Sequence, residues 1–327
     1  MKAIIRNKPG KEFTSMAVQE VEQPLLGAND VMIKMVSSRI NPVDMDLMKG
    51  FPGLKYPPNQ IGGVDGAGEV VKIGSAVTDF KSGDHVYFYR PFNDVGTWAE
   101  YISIPSKYIA KIPNGISLDQ AGSIALPSLT ALESILQLSP QKGESILIHG
   151  AAGGVGFMAV QIAKQLGLAV ITTNSSKDAA VLEPIGISKM IDYRKEDFSE
   201  VLKDQPPTYI LDVLGGENLM KSIQLGPKAV VSTSLPDTSQ MGKTGVELNW
   251  LFKKIMNLMN KRFTKLAKKK GVILKGQVTG PNQQNMKQFS EIFNSANLIT
   301  KPVQELSLEE IQAQGMSKKS VGKVIVF

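Results

Sequence analysis

Cysteine is absent from all 327 residues. That removes disulfides, thiolate nucleophiles and zinc–thiolate sites together. Histidine is scarce: only His85 and His149 occur, each beside an apolar run, where a packed or hydrogen-bonded role is expected and no metal is. No apolar run reaches the eighteen residues that a membrane span needs, so no stable membrane insertion is expected. The opening MKAIIRNKPG lacks a secretory h-region, and a cytoplasmic location is the default expectation. Acids are missing from one stretch. Leu251 to Lys275 carries nine Lys or Arg and no Asp or Glu. Without those nine, 28 basic residues stand against 30 acidic ones. The formal charge of +7 is therefore local, and no nucleic-acid partner is expected.

What is present centres on Ser145 to Lys177. Ile146 to Ile148 reads as a buried parallel strand. A glycine-rich turn follows, then a helix-period segment from about Val155 to Leu166 and a second apolar run, Ala169 to Thr172. That is one βαβ unit. Its turn carries Ala151-x-Gly153-x-x-Gly156. Ala151 is expected to make the tight turn, Gly153 to let backbone N–H groups approach a pyrophosphate, and Gly156 to let the helix pack close to the strand. The turn residues Ala151, Ala152, Gly153, Gly154, Val155 and Gly156 are thus predicted to bind the phosphates of a dinucleotide at a helix N-terminus.

The dinucleotide follows from another absence. An NAD-binding unit places Asp or Glu about twenty residues beyond the turn, on the ribose 2′-OH. Here Thr173, Asn174, Ser175, Ser176 and Lys177 stand there, and no acid occurs before Asp178. Hydroxyls, an amide and a cation suit a 2′-phosphate, so NADP(H) is the expected cofactor.

The β-rich part, residues 1 to about 122, shows apolar runs at Ala3–Ile5, Val31–Val36, Gly68–Ile73, Asp84–Tyr89 and Trp98–Ile102, and predicts a partly open barrel. After Lys177, strands are expected at Met190–Asp192, Tyr209–Leu214 and Ala229–Thr233. Leu214, Gly215, Ser234 and Leu235 at their ends are expected to meet the cofactor through backbone. Leu248 to Leu266 is amphipathic, with Leu251, Phe252, Ile255, Met256, Met259 and Phe263 at helical spacing. A core-facing helix with a solvated basic face is the expected reading, against a membrane-surface helix.

Further motifs extend over nearly the whole chain: Asn41-Pro42-Val43-Asp44, Gly63-Val64-Asp65-Gly66-Ala67-Gly68, Gly96-Thr97-Trp98-Ala99-Glu100-Tyr101, Leu126-Pro127 with Leu129-Thr130-Ala131, Asp192-Tyr193 and a terminal Gly322-Lys323-Val324. With them the chain resembles the zinc-independent quinone oxidoreductase branch of the medium-chain dehydrogenase/reductase superfamily, near its alkenal/enone reductases. The resemblance implies an α/β architecture. Residues 1–122 and 266–327 would form a GroES-like β-rich catalytic domain. Residues 123–265 would form a Rossmann domain with a doubly wound parallel sheet. It implies NADPH-dependent hydride transfer to a quinone or an α,β-unsaturated carbonyl, and a homodimer. Enoyl-thioester reduction and a non-catalytic NADP(H)-binding regulator are the alternatives. Zinc-dependent relatives have Gly-His-Glu where this chain has Gly63-Val64-Asp65.

By the same resemblance Asn41, through its amide, and Thr130, through its hydroxyl, lie beside the nicotinamide and stabilise charge on the acceptor oxygen. Tyr193 and Lys177 hold the 2′-phosphate. A structural turn role for Asn41 and a helix N-terminal role for Thr130 remain open. Asp46 departs from the family, which often has Lys or Tyr there. The proton donor is then left among Tyr56, Tyr87, Tyr89 and water.

Overall fold

The computed structural model describes residues 1–6, 16–50, 60–94, 96–293, 297–314 and 320–327. Its first elements are β1 (Lys2–Arg6), β2 (Met16–Glu20), β3 (Asp30–Arg39), α1 (Pro42–Lys49), β4 (Gln60–Ile61), β5 (Asp65–Ile73), β6 (His85–Tyr89), β7 (Tyr101–Pro105), β8 (Ile109–Lys111), α2 (Leu118–Ala121) and α3 (Ala125–Leu138). Strand and helix then alternate through β9 (Ser145–His149), α4 (Gly154–Gln165), β10 (Ala169–Asn174), α5 (Ala179–Leu182), β11 (Lys189–Asp192), α6 (Phe198–Val201), β12 (Tyr209–Asp212), α7 (Gly216–Gln224), β13 (Ala229–Ser232), α8 (Trp250–Lys270) and β14 (Ile273–Gly276). Last come α9 (Gln283–Phe293), β15 (Glu305–Ser307), α10 (Leu308–Gln314) and β16 (Val324–Val326).

These elements form two units, one of Met1–Leu126, Lys243–Glu247 and Gly280–Phe327, the other of Pro127–Gly242 and Leu248–Thr279. The first unit is strung on β3. One edge of β3 pairs antiparallel with β5. Its other edge is shared: β7 takes Asp30–Lys34, and β16 takes Ser37–Arg39. Alternation along β3 puts Val31, Ile33 and Met35 into a core with Val70, Phe88 and Ile102. A separate sheet, β2-β1-β4, packs Ile4 into a second cluster with Ile40, Met45, Trp98 and Ile325. The expected partly open barrel takes the form of these two sheets.

The second unit is a parallel sheet in the order β11-β10-β9-β12-β13-β14. In chain order that is 3-2-1-4-5-6, the doubly wound arrangement. Ligands of such sheets bind where the order reverses, here beyond the C-terminal ends of β9 and β12.

The sequence boundary at residue 266 needs correction. Ile273–Gly276 does not join the β-rich unit; it is the sixth parallel strand, paired with Ala229–Ser232. Its half-exposed pattern belongs to a sheet edge. The expectation for α8 also fails along half its length. Phe263 and Ala267 reach the core beside Ile223 and Val272, but Leu251, Ile255 and Met259 are exposed. Among the described residues no helix is long and apolar enough to cross a membrane.

Candidate functional site

The chain leaves β9 at His149 and turns sharply at Gly150, whose φ of +61° suits a residue without a side chain. The Gly150 carbonyl accepts the Gly153 N–H at 2.8 Å. A Cβ on Gly156 would stand 2.3 Å from that same carbonyl oxygen, so α4 sits this close only because Gly156 has none. The tight turn thus belongs to Gly150, not to Ala151, which is fully buried. Gly153 is the N-cap of α4 and brings no side chain to the helix end. The first α4 bond runs from Phe157 N–H to the Gly153 carbonyl. The amides of Gly154, Val155 and Gly156 precede it and have no helical carbonyl behind them. They offer an anion three donors and the positive end of a helix.

A cavity of about 900 Å³ opens at this turn. Seven expected residues line it: Ala152, Gly153, Thr173, Asn174, Ser175, Tyr193 and Leu214. Ala151, Gly154, Val155, Gly156, Ser176, Lys177, Gly215, Ser234 and Leu235 are not among its lining. Volume, glycine cradle and position at the sheet reversal fit a dinucleotide.

The polar segment after β10 is already occupied by protein partners. Thr173 Oγ1 lies 2.8 Å from His149 Nδ1, whose other nitrogen is 2.9 Å from Ser222 Oγ. Asn174 donates to the Ser175 carbonyl at 3.0 Å, and Ser175 Oγ donates to Asp178 Oδ2 at 2.7 Å. Acids therefore do line the cavity: Asp178, Glu196 and Asp197. Lys177 is exposed and turned out of the lining. The cations that line it are Arg194, Lys195 and Lys221. Lys221 is held by Asp197 at 2.5 Å. The Arg194 guanidinium stands 5.7 Å from the Tyr193 ring centre. Arg194 and Lys195 were missed in the sequence although they adjoin Tyr193. The signal lies in the register: β10 and β11 run side by side with Asn174 opposite Asp192, so the loop after β11 overhangs the same sheet edge.

Three of the four backbone donors expected at the next strand ends are committed elsewhere. Leu214 N–H and Gly215 N–H both donate to Asp212 Oδ1, at 3.2 and 3.1 Å. Ser234 N–H donates to Ser232 Oγ at 3.2 Å, and Leu235 is buried in the core. Leu214, Gly215 and Ser234 thus keep carbonyls and the half-exposed Leu214 side chain for a ligand, not amides.

Asn41, in the first unit, is buried. Its Nδ2 donates to Asp65 Oδ1 at 2.8 Å, and Asp65 Oδ2 accepts Leu126 N–H at 3.0 Å. The Asn41 N–H donates to Asp44 Oδ2 at 2.6 Å. Burial pushes Asp65 up to about 7, with the Leu126 amide, Asn41 and the Arg39 guanidinium pulling it back. Burial first, then the Asp65 charge, raises Asp44 well above the usual carboxylate range. Asp65, with two N–H donors and a nearby guanidinium, ionises first. The Asn41 side chain is thus held between two carboxylates, with Nδ2 donating to Asp65 and Asp44 alongside.

Thr130, in the second unit, is nearly buried in the second turn of α3, past the helix N-terminus; its carbonyl accepts Ser134 Oγ at 2.6 Å. The Asp46 carboxylate is exposed and lies 3.6 Å from Lys49 Nζ, one turn along α1. Tyr87 is buried, donates to the Met286 carbonyl at 2.9 Å, and has its phenol pushed up by burial. Tyr89 is buried as well. Tyr56 lies outside the described residues.

His149 carries a pH prediction. Burial lowers its pKa to about 4, with Asp212 opposing. The unfolded chain therefore binds a proton below about 6.5 that the folded protein refuses until about 4. Stability falls as pH drops through that window, by up to roughly 1.4 kcal/mol per unit. Melting of His149→Gln, compared with the parent at neutral pH and at pH 5, is expected to show a smaller acid loss.

The chain matches the family described as "Alcohol dehydrogenase GroES-like domain" over residues 27–114 and "Zinc-binding dehydrogenase" over residues 154–231. It is 35% identical to 2-methylene-furan-3-one reductase of Solanum lycopersicum, over 68% of this chain and 60% of that protein. It is 33% identical to the chloroplastic NADPH-dependent alkenal/one oxidoreductase of Arabidopsis thaliana, over 71% of this chain and 62% of the relative. The chain thus spans about six tenths of the length of both curated relatives. The quinone oxidoreductase structure from Coxiella burnetii superposes with a TM-score of 0.80 at 26% identity, covering 100% of this chain and 98% of that one. With both domain matches in order and the fold matched from end to end, the chain belongs to the medium-chain dehydrogenase/reductase superfamily.

Proposed function

We propose that the protein is an NADPH-dependent, zinc-independent reductase of quinones or α,β-unsaturated carbonyls. The observation that carries this reading is the Gly150–Gly156 cradle opening into the cavity at the sheet reversal. The names of the relatives support the acceptor class. When bound, NADPH supplies a hydride to the electron-poor acceptor, chemistry that needs no Lewis acid.

The chain's own groups do the rest. The amides of Gly154, Val155 and Gly156 hold the pyrophosphate. Arg194, with Tyr193, holds the 2′-phosphate in place of Lys177. Asn41, oriented by Asp65, is the amide donor to the acceptor oxygen as charge develops there, with Thr130 as the other donor. Such a donor contributes roughly 3–4 kcal/mol to the barrier. Tyr87 and Tyr89 are buried, which leaves the proton to Tyr56 or to solvent. The same reading takes the protein as a cytoplasmic homodimer, as is common in the family. Asp46, salt-bridged on its own helix, no longer favours a non-catalytic regulator.

The test is the absorbance of reduced nicotinamide with purified protein, offered ortho- and para-quinones, short enals and enones, and an enoyl thioester, with NADPH and NADH in parallel. Turnover of a quinone or enone is expected. Tight NADPH binding without turnover of any acceptor would overturn the enzymatic reading.

The cofactor preference has its own variants. Arg194→Ala is expected to weaken NADPH binding by about ten- to a hundredfold, the loss of one charge-assisted bond, and to leave NADH binding unchanged. Lys177→Ala is expected to change neither by more than about twofold. The reverse pattern in a titration would return the phosphate to Lys177.

A further inference from the structure

The α8 helix leaves an apolar face uncovered. Trp250 is 74% exposed, Leu258 65% and Met259 69%, with Leu251 at 52% and Ile255 at 47%. Scattered exposed apolar residues are ordinary, but these five share two and a half turns of one helix. At 100° per residue, Leu251, Ile255, Leu258 and Met259 fall within an arc of about 100°. The side that packs adjoins this arc: Phe263 and Ala267 fall about 40° and 80° beyond Met259, and toward the C-terminal end Leu266 turns the arc itself onto the core.

Cations border this arc on one side and follow it toward the C-terminal end. Lys254, Lys261 and Lys268 recur every seven residues along one flank, and Arg262, Lys265 and Lys269 continue the arc toward the C-terminal end. All six are exposed. No Asp or Glu occurs between Glu247 and Glu291 to neutralise them. An apolar strip edged by long cationic side chains matches the interface of an anionic bilayer. Leu, Ile, Met and Trp enter the acyl boundary there, and lysine stems reach back to the phosphates. A second copy suits the face poorly, because a twofold contact sets like charges against like.

We infer that the outer face of α8 docks the protein peripherally on anionic lipid, with Trp250 and Leu258 inserted and the Lys/Arg rows on the headgroups. Each cation near such a surface contributes about fivefold to partitioning, screened by salt.

The test uses the full chain in flotation with vesicles of phosphatidylcholine alone or mixed with phosphatidylserine, at low and high salt. Binding to the mixed vesicles at low salt is expected, with release at high salt and none to phosphatidylcholine alone. The only other tryptophan, Trp98, is buried, so a blue shift of emission on adding vesicles reports Trp250. Neutralising Lys261, Lys265 and Lys268 to Gln is expected to weaken binding by about a hundredfold. Leu258→Ser is expected to abolish the shift without altering charge. All four positions are exposed, so folding is spared. No flotation with mixed vesicles at low salt overturns the proposal, as does flotation that the triple variant retains. Sedimentation showing a dimer that Leu258→Ser dissociates assigns the face to a second copy and overturns it too. So does duplex DNA outcompeting the vesicles.

Discussion

Gly156→Val is expected to lower NADPH affinity by more than about a hundredfold. The Cβ alone would stand 2.3 Å from the Gly150 oxygen and 2.9 Å from the Ala151 Cα, both backbone atoms that no rotamer can move. Either the turn opens or α4 backs away from β9. Both displace the first-turn amides of Gly154, Val155 and Gly156. Each charge-assisted bond to a phosphate is worth roughly 1.5–3 kcal/mol, so losing even one or two gives the stated factor. Calorimetric titration reads the affinity, and circular dichroism checks that the sheet survives. Affinity within tenfold of the parent, in a folded variant, would mean that the turn does not hold the phosphates.

Asp65→Ala is expected to reduce kcat by about a hundredfold while leaving NADPH affinity within about twofold. The carboxylate is fully buried and accepts the Asn41 amide and the Leu126 N–H. Alanine removes the acceptor that both donors share and lets the Asn41 amide swing. Loss of an aimed oxyanion donor costs two to three orders of magnitude in kcat. Stability is expected to drop as well, because buried N–H groups and the Arg39 guanidinium lose their partner. Asp65→Asn keeps one acceptor oxygen and the shape, and its kcat is expected to fall between the two. The pH profile separates orientation from damage. Asp65 has its pKa raised to about 7. The folded protein therefore holds a proton that the unfolded chain has released above about pH 4. This group's contribution is present at low pH and lost as pH rises toward 7, by roughly 1.4 kcal/mol per unit. His149 has the opposite sign. A kcat within threefold of the parent in Asp65→Ala would remove Asp65 from the mechanism.

Some of this site was legible from local pattern alone. The run from Ser145 to Lys177 announced strand, turn, helix and strand, and β9, α4 and β10 fall within a residue or two of the expected bounds. Periodicity and a glycine turn are local signals, and the parallel sheet preserves them. Long-range facts were not legible. Asn41 and Asp65 meet across 24 positions, and nothing in either segment announces the contact. The fingerprint spacing drew attention to Ala151, yet φ at Gly150 decides the turn. Arg194 became visible only once β11 was known to lie beside β10. Periodicity showed that α8 has an apolar face but cannot say whether anything covers it. A four-residue strand such as β14 is too short to declare which sheet it joins.

The pairing of β3 with β16 bears on how the protein is made. Ser37–Arg39 find their partners only at Val324–Val326, roughly three hundred positions downstream. At 5–20 residues per second the ribosome needs on the order of 15–60 s to deliver them. All six strands of the parallel sheet emerge in that interval, so the nucleotide-binding unit is free to close during translation. The strand edge of β3 meanwhile waits with its amides and carbonyls open to any neighbouring chain. Slow or interrupted translation should therefore expose the β-rich unit, not the parallel sheet, to misassembly and to chaperones.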